Sequence, residues 1–249
     1  MEPLNKVASI TVFFWLLKVV ATTLGETAGD FISMTLNLGY LAALGITAAF
    51  FVFALFLQLN AKKYHPWIFW LVIIATTTLG TEISDFIDRS LHVGYLGGSV
   101  MLILALGTIL YAWYKKYGHL QVYPIFERKK EAYYWTAILV SNSLGTAFGD
   151  FLSDNLGLSF ITGAIITASI IFIVVLLHYY SNLNQVILFW IAFIFTRPFG
   201  ATFGDLLTKP LSKGGLDLGT LNATVVALFT MFMLLWLSQK SKKYDNSYQ

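Results

Sequence analysis

One spacing recurs four times along this chain and limits its fold more than any other feature. From a tryptophan it is fifteen residues to an aspartate: Trp15 to Asp30, Trp70 to Asp85, Trp135 to Asp150, and Trp190 to Asp205. A glycine stands ten residues after each tryptophan (Gly25, Gly80, Gly145, Gly200), with a small residue four further on (Gly29, Ser84, Gly149, Gly204). Nine residues past the aspartate a second apolar run opens with Gly39-Tyr40-Leu41, Gly94-Tyr95-Leu96 and Ser159-Phe160-Ile161. The fourth copy opens its run at Gly219-Thr220-Leu221, displaced by five extra residues within 208–215. Copies start 55, 65 and 55 residues apart. The chain is therefore built of tandem units, each too small to bury its own apolar face without neighbours.

Each unit holds two continuous apolar runs, and a helix needs about 20 such residues to cross a bilayer core. Charged residues make up 12% of the chain against roughly 25% in soluble domains, and the mean hydropathy is +0.70, so most of the surface does not face water. In lipid every backbone polar group must be paired within the protein, which leaves helices or a closed barrel; continuous rather than alternating runs select helices. The expected fold is an all-α integral membrane protein with eight transmembrane helices arranged as four tandem helix hairpins. Its spans fall near 7–29, 38–59, 67–85, 94–114, 132–150, 158–179, 186–206 and 217–237. One membrane domain then covers 1–249, with repeats at 6–60, 61–115, 126–180 and 181–237, a linker at 115–131 and a tail at 238–249. No small-residue cleavage site follows the first run, which reads as a retained span. The absence of cysteine excludes disulfides and thiolate chemistry.

Basic residues set the expected orientation. Eleven of the sixteen (Lys6, Lys62, Lys63, Lys115, Lys116, Arg128, Lys129, Lys130, Lys240, Lys242, Lys243) lie in the termini or between units, which places both termini in the cytoplasm. Nine of the thirteen acids lie at the opposite, motif end, so the two faces differ in sign.

On a helix, the tryptophan and the positions 4, 7, 11 and 15 later share one stripe. In the first unit that stripe is Trp15, Val19, Thr22, Glu26 and Asp30; the seventh position is polar in all four units (Thr22, Thr77, Asn142, Arg197). Beside it run the small residues, whose spacing lets helix backbones approach closely in lipid. Each first helix is thus expected to have one packing edge and one wet edge, with the wet edges gathered round a shared polar cavity. Buried charges such as Lys18 and Arg197 are tolerable there if they pair with the aspartates, Glu26 or Glu82. Pro198 should break or kink the seventh helix.

Other features read as structural. His65, His92, His119 and His178 sit at loops or helix ends without metal-site spacing, and Asp88 and Asp154 are expected to be solvated. The basic linker is a topology signal and gives no sign of nucleic-acid binding. No nucleophile and base pair, phosphate loop or dinucleotide fingerprint is present, so an enzyme is not expected. A homo-oligomer is compatible with the glycine edges.

The aromatic-Trp pairs (Phe14-Trp15, Phe69-Trp70, Tyr134-Trp135, Phe189-Trp190), the glycine-to-aspartate motifs, Leu207-Thr208-Lys209-Pro210 and Gly214-Gly215-Leu216-Asp217-Leu218-Gly219 carry a family resemblance. The chain resembles bacterial membrane-anchored proteins made of four tandem two-helix repeats of unknown function. That resemblance implies an eight-helix protein of the bacterial inner membrane and no particular activity. The function must come from the residues. The leading expectation is a transporter or channel for a small hard cation, a divalent metal or one coupled to protons. Glu26, Asp30, Glu82, Asp85, Asp150 and Asp205 would be acidic ligands, Thr22, Thr77 and Asn142 neutral ones, and Arg197 a counter-charge. The alternatives are a transporter or receptor for a small organic solute, or a membrane anchor or sensor. No cofactor is expected beyond a bound divalent cation.

Overall fold

The computed structural model describes residues 4–245, with side chains to residue 241; the side chains of Lys242 and Lys243 and the tail at 246–249 lie outside the described residues. Among the described residues there are eight long helices and no strand. They are α1 (Val12–Asp30), α2 (Gly39–Asn60), α3 (Pro66–Asp85), α4 (Tyr95–Tyr117), α5 (Arg128–Asp150), α6 (Phe160–Tyr180), α7 (Gln185–Thr208) and α8 (Thr220–Asp245). After the aspartates that end α1, α3 and α5, a five-residue π-helical turn follows (Phe31–Thr35, Phe86–Ser90, Phe151–Asn155). Seven helices are long and apolar enough to cross a membrane; α5 carries Arg128, Lys129, Lys130 and Glu131 in its opening turn and is the exception.

The odd-numbered helices all run from the basic end towards the aspartates. They close into a ring, with α1 on α3, α3 on α5, α5 on α7 and α7 back on α1. The even-numbered helices return outside it, and here the expected hairpin is not formed. Each packs on the first helix of the next unit: α2 on α3, α4 on α5, α6 on α7, and α8 on α1. The turns account for the offset. Seven residues after the first three aspartates the backbone adopts a left-handed conformation (Asn37 φ 54°, His92 φ 57°, Gly157 φ 65°), and Asp217 does the same at φ 56° in the longer fourth turn. That residue throws the chain sideways after the π turn, away from its own first helix and onto the next.

Glycines set the spacing of the ring. A methyl group at Gly25 would run into Thr77, at Gly80 into Asn142, at Gly145 into Arg197 and at Gly200 into Thr22. Each is the tenth-position glycine of one unit against the seventh-position polar residue of the next. One turn later Gly29 meets Thr81, Gly149 meets Ala201 and Gly204 meets Glu26. The glycine edge and the polar edge therefore face each other in the same helix contacts. The polar edge is not wet: Thr22, Thr77, Asn142 and Arg197 are each 0% exposed. Gly25→Ala is expected to lower stability by about 1–3 kcal/mol through overpacking, because the Thr77 backbone carbon would lie 2.8 Å from the new methyl. Gly45→Ala, on α2 with open space around it, should leave the thermal midpoint in detergent unchanged or higher.

The outer helices leave a coat of exposed apolar side chains, including Leu41, Phe53, Phe56, Leu104, Phe172 and Phe229. A continuous surface of this kind is unfavourable in water and favourable against hydrocarbon. At the basic end the ring is filled by the aromatic pairs; Phe14, Phe69, Trp70, Tyr134, Trp135, Phe189 and Trp190 are all buried, and Trp70, Trp135 and Phe189 contact their neighbours edge-on or tilted.

Three further expectations need correction. α1 begins at Val12, not near residue 7, because Thr11 caps it by accepting from the Phe14 amide, while Asn5 and Lys6 bond to Ile125 and hold the preceding segment against the linker. Lys6, one of the basic residues that set the orientation, is itself buried and bonded to the buried Glu131, which also accepts from Gln58 Nε2 at 2.8 Å. Asp88 is buried, not solvated: it accepts from Ser84 at 3.2 Å and lies against Gly98 of α4. Pro198 does not break α7, which continues to Thr208; close packing of α5 and α1 on either side holds that stretch helical.

Candidate functional site at the aspartate end of the ring

Moving along the ring from the aromatic layer, the first polar level contains Lys18, Asn142 and Thr76. Lys18 donates to Asn142 Oδ1 at 2.9 Å, Asn142 donates to Thr76 Oγ1 at 3.1 Å, and the ammonium lies 3.9 Å from the centre of the Phe193 ring. Lys18 thus finds an amide and an aromatic face rather than a carboxylate. The next level holds Thr22, Thr77 and Arg197. Thr22 donates to the Thr196 carbonyl at 3.1 Å and Thr77 to the Ala21 carbonyl at 3.0 Å, so these hydroxyls stitch adjacent helices together. Arg197 donates to the Thr22 carbonyl at 3.3 Å, Glu26 Oε2 at 2.7 Å and Thr81 Oγ1 at 2.5 Å.

The carboxylates form the last level. Glu26, Asp30 and Asp205 each bring one oxygen to within 4.8 Å of the other two, and all three are buried. Lys209 crosses this group, 2.6 Å from Asp30 and 3.1 Å from Asp205. On the far side of the ring Arg89 lies 3.2 Å from Asp85 and 3.3 Å from Asp150, and donates to the Tyr40 hydroxyl at 3.0 Å. Glu82 is 0% exposed, and neither of its oxygens has a hydrogen-bond partner; Ser33 beside it donates instead to the Gly29 carbonyl. The structure therefore brings Glu26, Asp30 and Asp205 together, joins Asp85 to Asp150 through Arg89, and leaves Thr22, Thr77 and Asn142 on the levels below the carboxylates. Asp30 and Thr22 are eight residues apart, about 12 Å of helix.

Two features make this end strongly negative. The acids are one, and the parallel helices are the other: all four direct their C-terminal carbonyls, the negative end of the helix dipole, the same way. Cations are what such a place attracts. Burial weakens the hold of Lys209 on its proton, but Asp205 and Asp30 more than reverse this and keep the ammonium charged.

The model of the Repeat of Unknown Function (DUF347) matches the chain four times, at 13–64, 68–117, 133–184 and 188–244. The chain belongs to that family. No curated protein and no solved structure matches it.

The four DUF347 repeats differ just past their aspartates. Four residues after the aspartate stand Met34, Arg89, Asp154 and Lys209, so only the second and fourth repeats carry a cation there. Each cation bridges its own aspartate and that of the next repeat round the ring. An acid followed by a base at this spacing is an ordinary helical pair and was readable in the sequence. The second aspartate of each bridge was not, because it comes from another repeat.

Proposed function

We propose that the chain is a transporter for a small hard cation, with the carboxylates at the aspartate end of the ring as its binding region. The observation that carries this reading is the convergence of Glu26, Asp30 and Asp205 where four helix C-termini meet. Oxygen ligands of this kind suit Mg²⁺, Mn²⁺, Ca²⁺ or protons, and the chain has no cysteine to favour softer metals. The Thr–Gly level below is tightly filled, which fits a transporter that opens in steps better than a standing pore. In this reading α5 is the eighth crossing, since it sits in the ring like its three counterparts. Both termini lie in the cytoplasm of a bacterium, with the basic end inward and the carboxylates towards the outer side of the inner membrane. The lipid bilayer is then the chain's principal partner.

Reconstituted into liposomes, the protein is expected to take up or release at least one of Mn²⁺, Mg²⁺ and Ca²⁺ faster than empty vesicles. Correctly folded protein that moves none of them, with or without a proton gradient, would falsify the transport reading. Thermal stabilisation by small organic acids and not by metal salts would instead move the site to a solute.

A further inference from the structure

Lys209 and Arg197 both touch the three-carboxylate group, but they are held in different ways. Arg197 is 0% exposed and is fixed by three partners on two other helices. Lys209 lies just beyond the end of α7 with extended backbone, its side chain is 25% exposed, and its ammonium is held by the carboxylates of Asp30 and Asp205. It is a compact point charge on a flexible stem, anchored by the groups that would bind a metal. Arg89, its counterpart in the second repeat, has a planar fork engaged by Asp85, Asp150 and Tyr40 together, so that half of the ring is the fixed one.

The charge count is incomplete with lysine in place. Three carboxylates less the Arg197 guanidinium leave two negative charges, and Lys209 answers one of them. A second observation points to the missing partner. Glu82 is fully buried with both oxygens unpaired, and it lies beside this group: Oε1 is 3.3 Å from where a side chain on Gly29, next to Asp30, would begin. An isolated buried carboxylate is among the least favourable groups a protein can hold, unless a cation comes beside it.

We propose that the Lys209 ammonium is a tethered stand-in for a divalent cation, which displaces it from between Glu26, Asp30 and Asp205 and takes Glu82 as a further oxygen ligand. The inference rests on the cation reading above and adds how the empty site is kept neutral enough to stay folded. With Glu82 included the site carries three net negative charges, of which a single ammonium answers one and a divalent ion two. The released lysine swings into water at the membrane surface, and its return expels the ion.

The test uses the full chain in detergent with Mn²⁺ as the probe, its binding followed by the loss of the free-ion electron-spin signal. In the same samples, lysines are acylated with a water-soluble ester and the modified peptides are quantified. Saturating Mn²⁺ should raise labelling of Lys209 several-fold while leaving the exposed Lys213 unchanged. Lys209→Met should bind Mn²⁺ tighter by about tenfold or more, because the site no longer has to be vacated first. Mn²⁺ binding without a rise in Lys209 labelling overturns the displacement and leaves the cation reading intact, as does a folded Lys209→Met variant that binds no tighter. Absence of binding by Mn²⁺, Mg²⁺ and Ca²⁺ alike removes the cation reading itself. If Lys209→Met does not fold, labelling of the wild-type chain decides alone.

Discussion

Arg197→Met should destabilise the protein by about 3–5 kcal/mol, the range for removing one partner of a buried ion pair. Methionine keeps an apolar stem for Gly145 to pack against, so the seam between α5 and α7 is largely preserved. What is lost is the guanidinium that bonds Glu26, Thr81 and the Thr22 carbonyl at a level with 0% exposure at Arg197 itself. Glu26 would then be a buried carboxylate held by little more than a 3.5 Å contact from Thr81. The second change Glu26→Gln, made in the same chain, should restore most of the lost stability because no uncompensated charge remains. Thermal and denaturant unfolding of the single and double variants in detergent measure both effects. Equal losses in the two would show that the arginine acts by packing rather than by charge.

Glu82→Gln should have the opposite profile. A carboxylate with no partner contributes nothing to folding, so the nearly isosteric amide should leave the unfolding midpoint unchanged or raise it. Divalent-ion affinity should fall by at least about tenfold, since ligand charge tunes hard-cation affinity over several decades. Stability against temperature and a Mn²⁺ titration on the same preparation separate the two roles. A marked loss of stability with unaltered Mn²⁺ binding would mean that Glu82 is a structural group.

Much of the architecture could be read from the chain because a fourfold repeat constrains itself. A glycine, a polar residue or an aspartate at one register predicts its equivalents, and apolar runs of the right length select helices in lipid. The pairing of units could not be read the same way. Asn37 and His92 accept left-handed backbone more readily than most residues, but nothing local says that this sends each second helix to the following unit. Contacts such as Lys6 with Glu131 and Lys209 with Asp30 join residues 125 and 179 positions apart, and they form only once the helices have come together in three dimensions. Asp88 misled for a related reason. It sits in a turn by sequence, but Gly98 gives it room to fold inward against α4.

The closed circle has a further consequence for how the protein is made. Among the eight helices α1 is made before the others, yet two of its flanks are supplied by the last two of them, α7 and α8. Until then Lys18 lacks the Phe193 ring and Glu26 lacks its guanidinium, so both must be sheltered by water, lipid headgroups or the insertion machinery. Synthesis and enclosure therefore run in opposite directions, and the earliest helix is the last to find its place.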